Sequence, residues 1–188
     1  MRPPATASKV RRLSDDLFAG VELGGTKCIA LLARRPEEIV AREQVPTTSP
    51  AETLTALGRI LSAWKSEREV AALGIGSFGP INLDPASPAF GRITSTPKPG
   101  WPGAEVLERL RAAADVPAAI DTDVNGAALA EMKWGAGQGM SDFAYITVGT
   151  GVGVGLVVNG RPTRGFSQAE CTRPTGKRPD FALRAAAP

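Results

Sequence analysis

The chain has no histidine, and only two of its 188 residues are cysteine. Cys28 and Cys171 stand far apart, with no metal or redox spacing around either, so nothing here builds a disulfide framework. A reducing compartment is the simplest reading. No apolar run approaches the length of a membrane span, and the opening MRPPATASKVRRLSDD carries charges without an apolar h-region, which excludes a secretory signal. Its prolines and aspartates also fit an organelle transit peptide poorly. A soluble, cytoplasmic protein with no membrane partner is expected.

A formal charge of +3 invites a nucleic-acid reading, but its location removes it. Residues 1–16 carry a net +2 and residues 161–188 a net +4, which leaves −3 for the body between them. A basic balance that lives in two tails is poor support for a nucleic-acid face, and no such partner is expected. The length suits one domain, or one complete domain and part of another.

Three β-like runs open the ordered part: Phe18 to Leu23, Cys28 to Ala33 and Ile39 to Val45. Ser49 can then cap a helix, with Pro50 at its first position and Glu52 completing a capping box, and Leu54, Leu57, Leu61 and Trp64 share one apolar face. VAALGIGSFGPI reads as a buried strand running into a glycine turn. Helical spacing resumes over 104–113 through Val106, Leu107 and Leu110, PAAID is another strand, and GAALAEMKWG is a small-residue helix. FAYITVGTGVGVGLVVNGRP makes two strands around a glycine turn, closed by the hairpin signal Asn159-Gly160. The order predicts an α/β chain with a second sheet that begins near its end.

Two glycine turns carry the chemical signal. In VELGGTK, Gly24 and Gly25 let the backbone fold tightly and turn N–H groups toward an anion, while Thr26 and Lys27 add a hydroxyl and a positive charge. The same dipeptide also serves as an ordinary hairpin turn with nothing bound. It is not a P-loop, because the Gly-to-Gly-Lys spacing of that motif is absent. TVGTGVGVG repeats the theme through Thr147, Gly149, Thr150 and Gly151; a β-rich stretch rather than a helix follows, which excludes a dinucleotide fingerprint. Between the turns, Asp123 in DTDVNGAALAE stands just ahead of a helix. Its carboxylate can cap that helix or act as general base toward a substrate hydroxyl attacking a γ-phosphoryl group.

Taken in order and spacing, VELGGTK, GIGSFGPI, TSTPKPGW, DTDVNGAALAEMKWGAGQG and TVGTGVGVG resemble the ROK family of sugar kinases and repressors over about residues 17–165. GSFGPI with TSTPKPGW points to its bacterial fructokinase branch. The resemblance implies an actin-like, ribonuclease H-like ATPase fold: an N-terminal lobe over 17–122 and an incomplete second lobe beginning at 123–165. It also implies ATP with magnesium phosphorylating D-fructose at its 6-hydroxyl. By position, Gly24, Gly25, Thr26 and Lys27 match the first phosphate motif, Thr147, Gly149, Thr150 and Gly151 the second, and Asp123 the catalytic base. Gly79 and Pro80 match the loop lining the sugar pocket, and Thr122 stands where many members place a sugar-contacting asparagine. Asn125 is expected to stabilise the turn into the helix, and Trp64, Trp101 and Trp134 to be packing residues.

The resemblance breaks after Arg164-Gly165. Family members continue with a segment like HPExGH and then with cysteines and a histidine that complete a structural zinc site. Here Gln168 and Arg173 fall on the histidines, and Glu170 alone is kept as a sugar contact. Cys171 cannot build a four-ligand site by itself, so zinc is expected to be absent. Residues 1–16 and 166–188 are expected to be disordered tails, and the chain to be a truncated fructokinase with reduced or no activity. A non-catalytic remnant that binds sugar or phosphate weakly stays open, as does a homodimer. A sugar-responsive repressor is disfavoured, because the residues before Phe18 are too few for a helix-turn-helix.

Overall fold

The computed structural model describes residues 16–149 and 152–164. Of the expected tails over 1–16 and 166–188, all but the buried Asp16 lie outside the described residues, with Glu170 and Cys171, as do the turn residues Thr150 and Gly151.

The first sheet forms because its strands alternate. In β1 (Leu17–Leu23) the side chains of Leu17, Ala19, Val21 and Leu23 are buried while Phe18 and Glu22 face out; in β2 (Lys27–Arg35) Cys28, Ala30 and Leu32 are buried. β1 pairs antiparallel with β2, and β2 with β3 (Glu38–Pro46), an edge strand carrying Glu38, Arg42 and Glu43. Charge on an edge strand discourages pairing with another chain. On its other side β1 pairs parallel with β4 (Val70–Ser77), which pairs parallel with β5 (Ala118–Thr122). The order across the sheet is therefore β3-β2-β1-β4-β5.

Parallel strands need crossovers, and helices supply them. The crossover from β3 to β4 is α1 (Pro50–Glu67), whose apolar stripe of Leu54, Leu57, Leu61 and Trp64 is buried as the sequence predicts. The capping box also forms, with the Glu52 N–H donating to Ser49 Oγ at 3.3 Å. In return, hydrogen bonds from the Thr48 and Ser49 side chains and the Ser49 backbone hold the Glu52 carboxyl below its ordinary value of 4.5. A folded-state value below the unfolded one gives stability that is present above about pH 4.5 and is lost as pH falls through the depressed range. The difference in thermal midpoint between wild type and Glu52→Ala is accordingly expected to be full near neutrality and to shrink toward zero in acid.

The second crossover contains a long loop and α2 (Val106–Ala114), which begins two residues and ends one residue after the predicted 104–113 and is closed by Asp115 in the left-handed region at φ 49°. Trp101 anchors this loop: its ring meets Phe78 edge-on at 4.9 Å and its Nε1 donates to the Thr48 carbonyl at 2.9 Å. β5 runs directly into α3 (Asp123–Trp134), and a separate sheet follows, built from β6 (Phe143–Val148), β7 (Val152–Val158) and β8 (Arg161–Pro162). The turn from β7 to β8 is the predicted one, with Asn159 and Gly160 both at positive φ.

Helix α3 joins the two sheets through small residues. A Cβ on Gly155 of β7 would stand 2.3 Å from the Val124 carbonyl oxygen, so only glycine admits this approach. Trp64 and Trp101 are buried as expected, but Trp134 is 54% exposed and is not a packing residue. At 100° per residue it lies on the side of α3 opposite the buried Asn125, and Lys133 Nζ sits 5.3 Å from its ring centroid instead.

Candidate functional site

The three parallel strands end level with one another. Leu23 of β1 is in register with Ser77 of β4, and Ser77 with Thr122 of β5. The segments leaving those ends are the Gly24–Thr26 turn, the Phe78–Pro80 loop and the N-terminus of α3, so one carboxyl edge gathers three predicted motifs. Open α/β sheets bind ligands at this edge. Adjacent strands are about 4.8 Å apart, which puts the turn and Asp123 on the order of 10 Å from each other.

Gly24 closes the first turn: its N–H donates to the Lys27 carbonyl at 3.1 Å, and a Cβ on it would meet that oxygen at 2.6 Å. Thr47 braces the turn from β3's end, its Oγ1 donating to the Gly24 carbonyl at 2.8 Å and its N–H to the Thr26 carbonyl at 2.9 Å. Gly25, Thr26 and Lys27 are exposed, and the N–H groups of Gly25 and Thr26 have no hydrogen-bond partner among the described residues. Gly25 has room for a side chain, its nearest neighbour to an added Cβ being Lys98 Cε at 3.8 Å, and its φ is not positive. The fold demands glycine at 24 and does not demand it at 25.

In the second loop, Phe78 is tied to β1 through its N–H on the Leu23 carbonyl at 2.8 Å. Gly79 is buried and Pro80 half-buried, and the Pro80 carbonyl accepts from Thr94 N–H at 2.8 Å and Thr94 Oγ1 at 3.1 Å. The loop that resembles the sugar-lining segment is thus fixed by the TSTPKPGW segment.

At the third position the helix cap is Thr122, whose Oγ1 accepts from the Asn125 N–H at 3.1 Å. Asp123 is the first helical residue, half-buried, with Oδ1 accepting its neighbour Val124's N–H at 2.8 Å. Thr122 is buried with its hydroxyl oxygen engaged by the cap. Asn125 stabilises the turn as expected, through Nδ2 on Asp121 Oδ1 at 2.8 Å and on the Thr163 carbonyl at 3.2 Å. The buried Asp121 also accepts from Arg164 Nε on Oδ2 at 3.0 Å, which ties the chain after β8 to the start of α3.

Thr147 and Gly149 are exposed at the end of the β6–β7 hairpin. Thr147 pairs with Gly153, and a Cβ on Gly153 would stand 2.7 Å from Val124 Cγ1, so the hairpin lies against the residue that follows Asp123. Asp123 consequently lies between the loop edge of the first sheet and the β6–β7 strand pair of the second.

Two site features escaped the sequence reading. Lys98 donates to the Gly25 carbonyl and stands 5.3 Å from the Phe78 ring centroid. Asp121, with Arg164, forms the buried node just described. Cys28 is a core thiol bonded to Thr47 Oγ1 at 3.3 Å, and burial pushes it up. Among the described residues no group of three His, Cys, Asp or Glu side chains could hold a metal ion, so they do not fit a structural zinc site.

Comparison with known proteins accords with this architecture. A family model described as ROK family matches residues 18–171, which carries the match six residues past the break expected at Gly165. The chain is 43% identical over 159 residues to a fructokinase of Zymomonas mobilis, covering 82% of this chain and 52% of that protein. It is 38% identical over 153 residues to a fructokinase of Lactococcus lactis, with 81% and 50% covered. Among solved structures, a ROK family glucokinase from Streptomyces griseus, in complex with glucose and AMPPNP, superposes with a TM-score of 0.69 at 27% identity, over 83% of this chain and 49% of that one. The chain spans about half the length of the curated relatives it matches. No helix among the described residues is long and apolar enough to cross a membrane. The mixed sheet joined by α3 to the start of a second sheet is the expected actin-like ATPase fold, and the chain belongs to the ROK family.

Proposed function

We propose that this chain carries the phosphoryl-transfer site of an ATP-dependent fructokinase, converting D-fructose and ATP to fructose 6-phosphate and ADP. The carrying observation is the pair of N–H groups of Gly25 and Thr26, without a partner among the described residues, at the same strand edge as the Asp123 carboxylate. An anion recognised by backbone donors on one side and a carboxylate on the other is the arrangement phosphoryl transfer to a hydroxyl requires. The likeness to fructokinases at 43% and 38% identity favours fructose as the hexose, while the glucokinase likeness marks glucose as its closest competitor.

In this reading Gly24, Gly25, Thr26 and Lys27 cradle one part of the triphosphate, and Thr147 and Gly149, with Thr150 and Gly151, the other. Gly79, Pro80, Thr122 and Glu170 contact the sugar. Asp123 accepts the proton of the 6-hydroxyl as that oxygen bonds to the γ-phosphorus and the bond to the ADP oxygen breaks. Magnesium takes its ligands mainly from phosphate oxygens, water and one or two carboxylates, so a half-buried Asp123 without a further ligand cluster among the described residues fits a metal that arrives with the nucleotide. It would neutralise charge on the phosphates.

A coupled ADP-release assay with fructose, glucose and mannose tests the reading; release no faster with sugar than without it would reject the enzyme. Gly25→Ala sharpens the test. It is expected to leave the melting temperature unchanged or slightly raised, since the backbone tolerates a side chain there, and to weaken AMPPNP binding about tenfold or more by holding the triphosphate off the turn. Equal AMPPNP affinity in the two proteins would make the turn an ordinary hairpin.

A further inference from the structure

Lys98 has no role in the reading so far, yet it stands where the phosphate turn and the sugar loop meet. One donor of its ammonium goes to the Gly25 carbonyl, and the same group lies over the face of Phe78, the residue that leads into Gly79 and Pro80. The side chain comes from a proline-flanked loop held by Trp101 through the Thr48 carbonyl and the Phe78 ring. It is half-buried, and no carboxylate among the described residues lies within ion-pair distance of it.

We propose that the Lys98 ammonium is the cation that contacts the phosphoryl group in transit, on ATP before transfer and on fructose 6-phosphate after it. The proposal rests on the fructokinase reading above. An ammonium has three donors, so the bond to Gly25 leaves two that can meet phosphate oxygens. Those donors stand beside the N–H groups of Gly25 and Thr26, making one surface that combines backbone donors with a full positive charge. A bracket between two loops needs only a neutral donor, and a neutral hexose needs no charge at all. A partly desolvated, uncompensated cation is stabilised by an anion, and a lysine meets phosphate as a compact point charge. Phe78 fixes its direction by attraction to the ring face.

Calorimetric titration of wild type, Lys98→Met and Lys98→Arg with fructose, fructose 6-phosphate and magnesium AMPPNP tests this at low ionic strength. Lys98→Met is expected to weaken fructose 6-phosphate and AMPPNP binding by about ten- to a hundredfold, with fructose affinity changed no more than about twofold. Lys98→Arg is expected to recover part of the phosphate affinity, and added salt to erode the wild-type advantage. Wild-type affinity for fructose 6-phosphate in Lys98→Met would overturn the proposal and leave the kinase reading standing. Equal losses for fructose and fructose 6-phosphate would reduce Lys98 to a loop bracket. A wild type that binds neither sugar nor nucleotide would remove both.

Discussion

Replacing Asp123 with alanine is expected to lower the turnover of fructose phosphorylation by about two to four powers of ten, with fructose affinity changed no more than a few-fold. In the proposed reading this carboxylate accepts the hydroxyl proton, so its loss falls on the chemical step. Its structural duty is small by comparison. Thr122 caps the helix, Asn125 and Asp121 secure the turn, and Asp123 Oδ1 accepts from the N–H of its neighbour Val124.

Asp123→Asn separates the two duties, because an amide carbonyl can accept the Val124 N–H but cannot take a proton at neutral pH. Asparagine is expected to give the same loss of turnover with an unchanged urea midpoint. Turnover within tenfold of wild type in the asparagine variant would exclude a general base at this position. A fructose dissociation constant that rises as far as turnover falls would make Asp123 a sugar contact or a structural prop.

What the sequence revealed about these residues follows the range of the interactions that hold them. The α1 capping box lies within four residues, and its Ser49, Pro50 and Glu52 each act where the local pattern puts them. The α3 cap was legible only to within one position: Thr122 and Asp123 are both polar, and it is the extended backbone of Thr122, at ψ 154°, that makes it the cap. Lys98 was illegible for a different reason. Its partner Gly25 is 73 positions away, and a lysine between two prolines reads as a solvated loop. Asp121 and Arg164 meet across 43 positions, and the need to pair the buried carboxylate becomes visible only once β5 buries it. Trp134 shows the converse, an aromatic residue that helix geometry turns outward.

Gly155→Ala is expected to cost about 3 kcal/mol, at the upper end of what overpacking does. Its added carbon would stand 2.3 Å from the Val124 carbonyl oxygen and 2.7 Å from the carbonyl carbon, and a backbone atom cannot rotate aside as a side chain can. The first turn of α3 is also held on its other side, by the Thr122 cap and by the Asp121, Asn125 and Arg164 node, so yielding there means breaking buried hydrogen bonds. Against a typical total of about 5–15 kcal/mol the loss is large, and it should appear as a clear fall in the urea midpoint. An unchanged midpoint would show that α3 and β7 are not in contact as described. The expected consequence for function is coupled: relief of the clash moves α3 away from β7, and with it Asp123 from the strand pair that carries Thr147. Asp123→Asn should therefore silence the chemistry in an intact fold, whereas Gly155→Ala should weaken fold and chemistry together.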